Sequence, residues 1–345
     1  MAAVRRWLVP AAVVGAIAVG ALAPGASADL PAKTPQEVLV LAQQGDLEAF
    51  SGTALVRTEL GIPSALLDAA DGQQGGPPDS GERTVRVWKD GDERQRVSVS
   101  GMMGERTLVR DGDQVWAWDS ATATATEVVL PEPDGSAEQP APWLADGPVD
   151  PAEAARWVLD TLGPTTSVTA GEPTVVAGRE AYELVLTPNQ PGTLVGRAAL
   201  AVDAATGAVL RVQVSAVGAG EPAVDIGYTS FDPTPPPADV FTFTPPPGST
   251  LEQAEVPSTP SEPPADKPEQ ARPQVVGEGW TSVVVVPAAS GAGSELTQAL
   301  PPGVARPVAG GQVVTTTLLS VLVTDDGRVL AGAVTPEVLV AAAGG

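Results

Sequence analysis

The sequence predicts an α+β protein built mainly from antiparallel strands, with a second, smaller α+β domain at its C-terminal end. Three observations predict it. Short runs rich in Val, Leu and Trp alternate with a period near two, first between residues 52 and 118 and again between 173 and 231. Asp-Gly and other glycine-bearing turns separate these runs at hairpin spacing. Two capped segments carry helical patterning, and a proline-rich stretch sets the strand-rich part apart from about 70 further residues.

The N-terminus comes first in the chain and reads as an export signal. Arg5 and Arg6 precede an apolar run over residues 7–23, and Ala26-Ser27-Ala28 supplies small residues at the cleavage positions. Cleavage after Ala28 is expected, with residues 1–28 as signal peptide. A retained anchor is the alternative, because the run sits at the short edge of a membrane span. The Arg pair suggests twin-arginine export, but its flanking residues do not otherwise match. No Cys follows the run, so no lipid can be attached there.

"TPQEVLVLAQQG" (34–45) opens the mature fold as a helix, with Thr34 as N-cap, Pro35 at the first position, Glu37 closing a capping box and Gly45 stopping it. "GTALVRTEL", "RTVRVW", "RVSVS", "RTLVR" and "QVWAW" follow as strands of a meander. Asp90-Gly91-Asp92 and Asp111-Gly112-Asp113 are its turns. Neither has calcium-loop spacing. "GIPSALLDAADGQQGGPPDSGE" (61–82) is a half-apolar insertion, either a flap or disordered. Met102-Met103 sit in a loop as an adaptable contact or as gap fillers.

"DPAEAARWVLDTLGP" (150–164) is the clearest helix. Asp150, Pro151 and Glu153 start it, Gly163-Pro164 ends it, and Ala155, Val158, Leu159 and Leu162 form one apolar face. Strands resume at "PTVVAG", "REAYELVLTP", "AALAVDAATGAVLRVQV" and "AVDIGYTSF". "DVFTFTPPPGST" closes the series, since its prolines cannot continue a sheet interior. Asp203, with Thr206 beside it, raises the question of an active-site edge. It lies between two apolar runs and four residues before Gly207, so it reads as a turn. Residues 249–274 contain six prolines and few large apolar groups, an extended linker. After it, 275–345 reads as strand, short helix, two strands around Asp325-Asp326-Gly327, and a last helix started by Thr335-Pro336-Glu337.

Composition excludes much chemistry. The chain has no Cys and no His, which removes disulfides, thiolate nucleophiles, ordinary zinc sites and every Ser-His or Cys-His arrangement. Elbow-serine, P-loop and dinucleotide fingerprints are absent. A net charge of −23 argues against nucleic acid and against docking on anionic lipid. A carboxylate-pair hydrolase is disfavoured, because no acidic pair stands apart from turn and surface positions. No cofactor or metal is expected, and the protein reads as no enzyme.

"VRVWKDGDERQRVSV", "ERTLVRDGDQVWAWDS", "VAGREAYELVLTP", "AVDAATGAVLRVQV" and "FTFTPPPGS", in this order, resemble the exported LolA/RseB (MucB) superfamily of lipoprotein carriers and sigma regulators. The resemblance covers 34–250. "VTDDGRVLAGAVTPEVL" looks like the small C-terminal domain of RseB-type members. The resemblance implies a strongly curved antiparallel sheet, an unclosed half-barrel over 34–248 covered by helices, whose apolar cavity takes acyl chains of lipids or lipoproteins. It carries over no individual ligand residues. Trp88, Trp116, Trp118, Trp157, Val158, Leu162 and Tyr182 are therefore candidate liners by chemistry alone, each aromatic with ordinary core packing as its alternative.

The expected function is a secreted or cell-envelope carrier or sensor of acylated ligands. The alternative is an RseB-like regulator binding the extracytoplasmic part of a membrane anti-sigma factor, which the second domain favours. An ABC transporter would be the carrier's partner.

Overall fold

The protein is described here from a computed structural model, over residues 29–45, 47–61, 81–101, 104–129, 150–152, 155, 165–255, 273–300 and 303–344. Strand dominates, in one large unclosed sheet and one smaller sheet.

Helix α1 (Pro35–Gln43) forms where its capping box predicts. Glu37 N donates to Thr34 Oγ1 at 3.3 Å, and Thr34 N donates to Glu37 Oε2 at 2.7 Å. Its inner residue Val38 is buried. Six antiparallel strands follow: β1 (Ala49–Thr58), β2 (Gly81–Asp90), β3 (Arg94–Gly101), β4 (Gly104–Asp111), β5 (Gln114–Asp119) and β6 (Thr124–Val129). The two Asp-Gly-Asp segments are the turns β2–β3 and β4–β5, as the sequence indicates. Of the 150–164 helix, Pro151, Ala152 and Ala155 are helical, and Ala155 is in the core. Residues 153–154 and 156–164 lie outside the described residues, as do the insertion 62–80 and Met102-Met103.

The second series comprises β7 (Thr166–Ala170), β8 (Thr174–Val176), β9 (Arg179–Pro188), β10 (Val195–Asp203), β11 (Val209–Ala216) and β12 (Val224–Asp232). Strand β12 pairs with β1 and joins the two series into one sheet of thirteen strands. Its order begins at β13 (Thr250–Glu255) and continues β6-β5-β4-β3-β2-β1-β12-β11-β10-β9-β7, with β8 beside β9. The sheet curls at the β9 end, where the Arg179 guanidinium reaches 5.8 Å from the Phe231 ring of β12.

Asp203 is a turn residue. Its carboxylate accepts from Ala205 N at 2.8 Å and Thr206 N at 3.0 Å, and Gly207 turns with φ +78°. The sequence gives no sign of its further partner, Arg179, 24 positions away, whose Nη2 donates to Oδ1 at 3.2 Å while Nε donates to Oδ2.

Two segments differ from expectation. "DVFTF" is not a closing strand: residues Ala238–Phe241 form a 3-10 turn in a strap laid across β3 and β4. Prolines 233, 235–237 and 245–247 keep this stretch out of any ladder. Beyond it, Thr250–Glu255, inside the expected linker, forms β13, paired parallel with β6. The sequence there has no apolar alternation. The strand exists because the strap delivers it to an open edge.

The smaller sheet is antiparallel, in the order β14 (Gln274–Val276), β15 (Val283–Val286), β19 (Val329–Gly332), β18 (Ser320–Thr324), β17 (Gly311–Thr315), β16 (Arg306–Val308). Helices α2 (Ala292–Ala299) and α3 (Pro336–Ala343) pack on β18, over a core of Val283, Val313, Leu322, Leu330, Val334 and Leu339. The two sheets are joined. Thr193 and Val334 form an antiparallel bridge, flanked by Leu194 N donating to Ala333 O and Thr335 N to Gly192 O, both at 2.8 Å. Trp280, 5% exposed, donates from Nε1 to Thr166 Oγ1 at 2.8 Å and lies in the core of the large sheet. Among the described residues, no helix is long and apolar enough to cross a membrane.

Candidate functional site

Register separates the large sheet into two chemically different faces, since paired residues share a side. The inner face carries the core. One row runs Leu184–Leu200–Val212–Ile226–Val56 across five strands. A neighbouring row continues Tyr228–Ala54–Val85–Val99, and a third runs Gly52–Val87–Val97–Leu108–Ala117. The first row ends where Val56 meets Arg83 of β2, and the second where Val99 meets Arg106 of β4. α1 packs against β7, β9 and β10 at one end.

Beside those rows sits an aromatic cluster. Tyr228 stands 4.9 Å from Phe231 and meets Phe50 edge-on at 6.4 Å, and Phe50 and Phe231 are 5.6 Å apart. Gly52 makes room for it, because a Cβ there would fall 2.6 Å from Tyr228 Cε1. Tyr228 is 4% exposed, and its hydroxyl has no hydrogen-bond partner. Burial, then the negative charge of Asp150, pushes its pKa well above the usual tyrosine range.

The outer face is built differently. Arg96 lies 5.8 Å over the Trp88 ring and donates from Nη1 to Val240 O at 3.0 Å. Phe241 of the strap is 1% exposed, and Phe243 stacks on Trp116 at 5.5 Å. A cavity of about 70 Å³ lies among Val109, Trp116, Phe241 and Phe243. A second, of about 30 Å³, lies among Glu183, Ala199, Arg211 and Gln213. Both fall far short of an ordinary ligand pocket of roughly 300–1,000 Å³.

Two carboxylates of the second series have opposite titrations. For Asp203, burial raises the pKa, but the Arg179 bond and the two turn amides outweigh it and hold it low. For Glu183, burial raises the pKa and the charges of Arg197 and Arg211 offset it only in part. Asp225 is held by Arg211, with Nε donating to Oδ1 at 2.7 Å. These are structural ion pairs, and among the described residues no group of acidic side chains is arranged to hold a metal ion.

The four candidate liners among the described residues lie on two faces of the large sheet. Trp88, Trp116 and Trp118 share the outer face, connected through the pairs Trp88–Arg96–Val109–Trp116. Tyr182 is on the inner face, with its hydroxyl donating to Pro31 O at 3.1 Å and Lys33 Nζ 5.5 Å over its ring. Trp157, Val158 and Leu162 lie outside the described residues. Sequence reasoning missed Phe50, Tyr228 and Phe231. The available signal was Gly52, a glycine inside a strand, where an aromatic neighbour often fills the space.

No family model and no curated protein matches the sequence. Solved structures do resemble it. The chain is similar to MucB in a MucA/MucB complex from Pseudomonas aeruginosa, at 16% identity over 88% of this chain and 95% of that one, with TM-score 0.42. It is similar to an uncharacterized conserved protein from Thermus thermophilus, at 14% identity over 64% and 98%, TM-score 0.35. It is also similar to a LolA superfamily protein from Nitrosomonas europaea, at 13% identity over 61% and 99%, TM-score 0.25. Likenesses this loose say nothing of what the chain binds.

Proposed function

We propose that this is an exported, non-enzymatic protein that binds the acyl chains of lipids or lipoproteins on the inner face of its large sheet. The observation that carries the reading is the apolar surface formed by the three cross-strand rows between Leu184 and Ala117, bounded by Arg83 and Arg106. Burying such a surface against an acyl chain returns about 0.8 kcal/mol per methylene. In this reading α1 covers one end of the half-barrel, and its separation from the sheet admits the ligand. Export follows from Arg5-Arg6, the apolar run and Ala26-Ser27-Ala28, with processing to a chain beginning at Asp29 and an extracytoplasmic location.

A fluorescent fatty-acyl probe tests it. Delipidated protein should bind the probe more tightly as the chain lengthens until the site is filled, and added salt should not weaken it. Absence of binding at every chain length would remove the acyl site.

A second reading is an RseB-like regulator that binds the extracytoplasmic part of an anti-sigma factor. The smaller sheet favours it, because a pure carrier needs no second sheet fastened by a β-bridge and a buried Trp280. Pull-down with neighbouring-gene membrane proteins separates the readings: an anti-sigma factor supports the regulator, and an ABC transporter the carrier.

A further inference from the structure

Tyr228 presents a polar atom with nothing to bond. A buried hydroxyl without a partner is costly, and phenylalanine would fill the same volume without it. The ring cannot swing away to find water, since Gly52, Phe50 and Phe231 hold it from three sides. Phe50 and Phe231 are themselves half-buried, so the edge of the cluster reaches the surface while the hydroxyl does not. With its pKa far above the working range, the group is always a neutral O–H donor.

The chemistry it would satisfy is narrow. The hydroxyl can donate one hydrogen bond and accept another, and an acyl ligand offers it an acceptor. Its neighbours are Phe50, Phe231, Gly52 and, opposite in register, Ala54, so the rest of the ligand is apolar. The negative charge of Asp150 acts on this hydroxyl, which disfavours an anionic acceptor. A neutral carbonyl at the head of an apolar chain meets all three conditions.

We infer that the Tyr228 hydroxyl is the polar anchor of the acyl site and donates a hydrogen bond to the ester carbonyl oxygen of a neutral acyl lipid. This rests on the acyl-binding reading and adds its head-group selectivity.

The test is competition against the fluorescent acyl probe on the full, delipidated chain, with three competitors of equal length: methyl palmitate, hexadecane and palmitate. Wild type should prefer the methyl ester to hexadecane by about five- to tenfold, the worth of one buried hydrogen bond, and should bind palmitate no better than the ester. Tyr228→Phe should abolish that preference while leaving hexadecane binding unchanged. Equal competition by ester and hexadecane in wild type overturns the inference without any variant. So does an equal loss of both in Tyr228→Phe, which would make the ring a packing element only. If no probe binds wild type at all, the acyl reading fails and takes the inference with it; binding without discrimination removes the inference alone.

Discussion

Strands β10 and β5 are alike as sequence and unlike as structure. "QVWAWD" alternates, "AALAVD" is apolar up to its Asp, and both are apolar-rich strands inside the large sheet. In β10 every residue from 198 to 203 is buried, whereas no residue of β5 is. The difference lies in what covers each strand. On β10 the inner side is packed by the core and by α1, while the outer Ala199 and Ala201 are small and lie beneath their longer neighbours Glu183, Arg211 and Gln213. On β5 the outer side carries Trp116 and Trp118, and the strap meets it through Phe243. Alternation tells which way side chains point. Cover comes from segments remote in sequence, and no local pattern reports it.

The largest test of this contrast is Leu200→Ala. Leu200 is fully buried, so the cavity left should cost roughly 3 kcal/mol in denaturant unfolding, against less than about 1 kcal/mol for the half-buried Val115→Ala on β5. Equal losses would break the comparison.

Asp203→Asn comes next, at about 2 kcal/mol near neutral pH, because it weakens a charge-assisted partner of Arg179 in a fully buried position. The sign with pH follows from its lowered value. The carboxylate contributes stability above the ordinary Asp pKa of about 4, and that stability is lost as pH falls through the folded value. The variant should therefore show a shallower loss of stability in acid, measured by urea melts across pH. Glu183 runs the other way: its raised pKa gives stability at low pH that disappears as pH rises through the folded value, so Glu183→Gln should be neutral or stabilising at pH 7. A destabilised Glu183→Gln would contradict that assignment.

Removing Trp116 should cost about 1–2 kcal/mol and loosen the strap, seen as faster amide exchange at residues 240–243 with β10 unaffected. Thr34→Ala should cost about 1 kcal/mol from loss of the capping box, measured by thermal unfolding.

Much of the fold was legible locally. The capping box at Thr34, the Asp-Gly turns, the Asp203 reversal and the last helix follow from short patterns, and the structure has each of them. What was not legible depends on pairing across distance. Nothing near Asp203 announces Arg179, and nothing in "TLEQAE" announces a parallel strand. The site shows the same division. Aromatics chosen by identity fell on both faces, because composition does not report face. Counting parity from Gly52 and Ile226 would have pointed to Tyr228 instead.

The seam between β1 and β12 has a consequence for the order of events during folding. Ser51 pairs with Asp232 and Thr58 with Val224, so the strand at the centre of the sheet waits for a partner made more than 160 positions later. At about 5–20 residues per second, that is a delay of roughly 10 to 30 seconds on the ribosome. The β2–β6 meander can form meanwhile, since each of its strands meets its neighbour within a few residues. β1 spends the interval with one edge unsatisfied, the state in which strands capture wrong partners. A chain held unfolded until its synthesis is complete escapes that interval, because β1 and β12 then become available together.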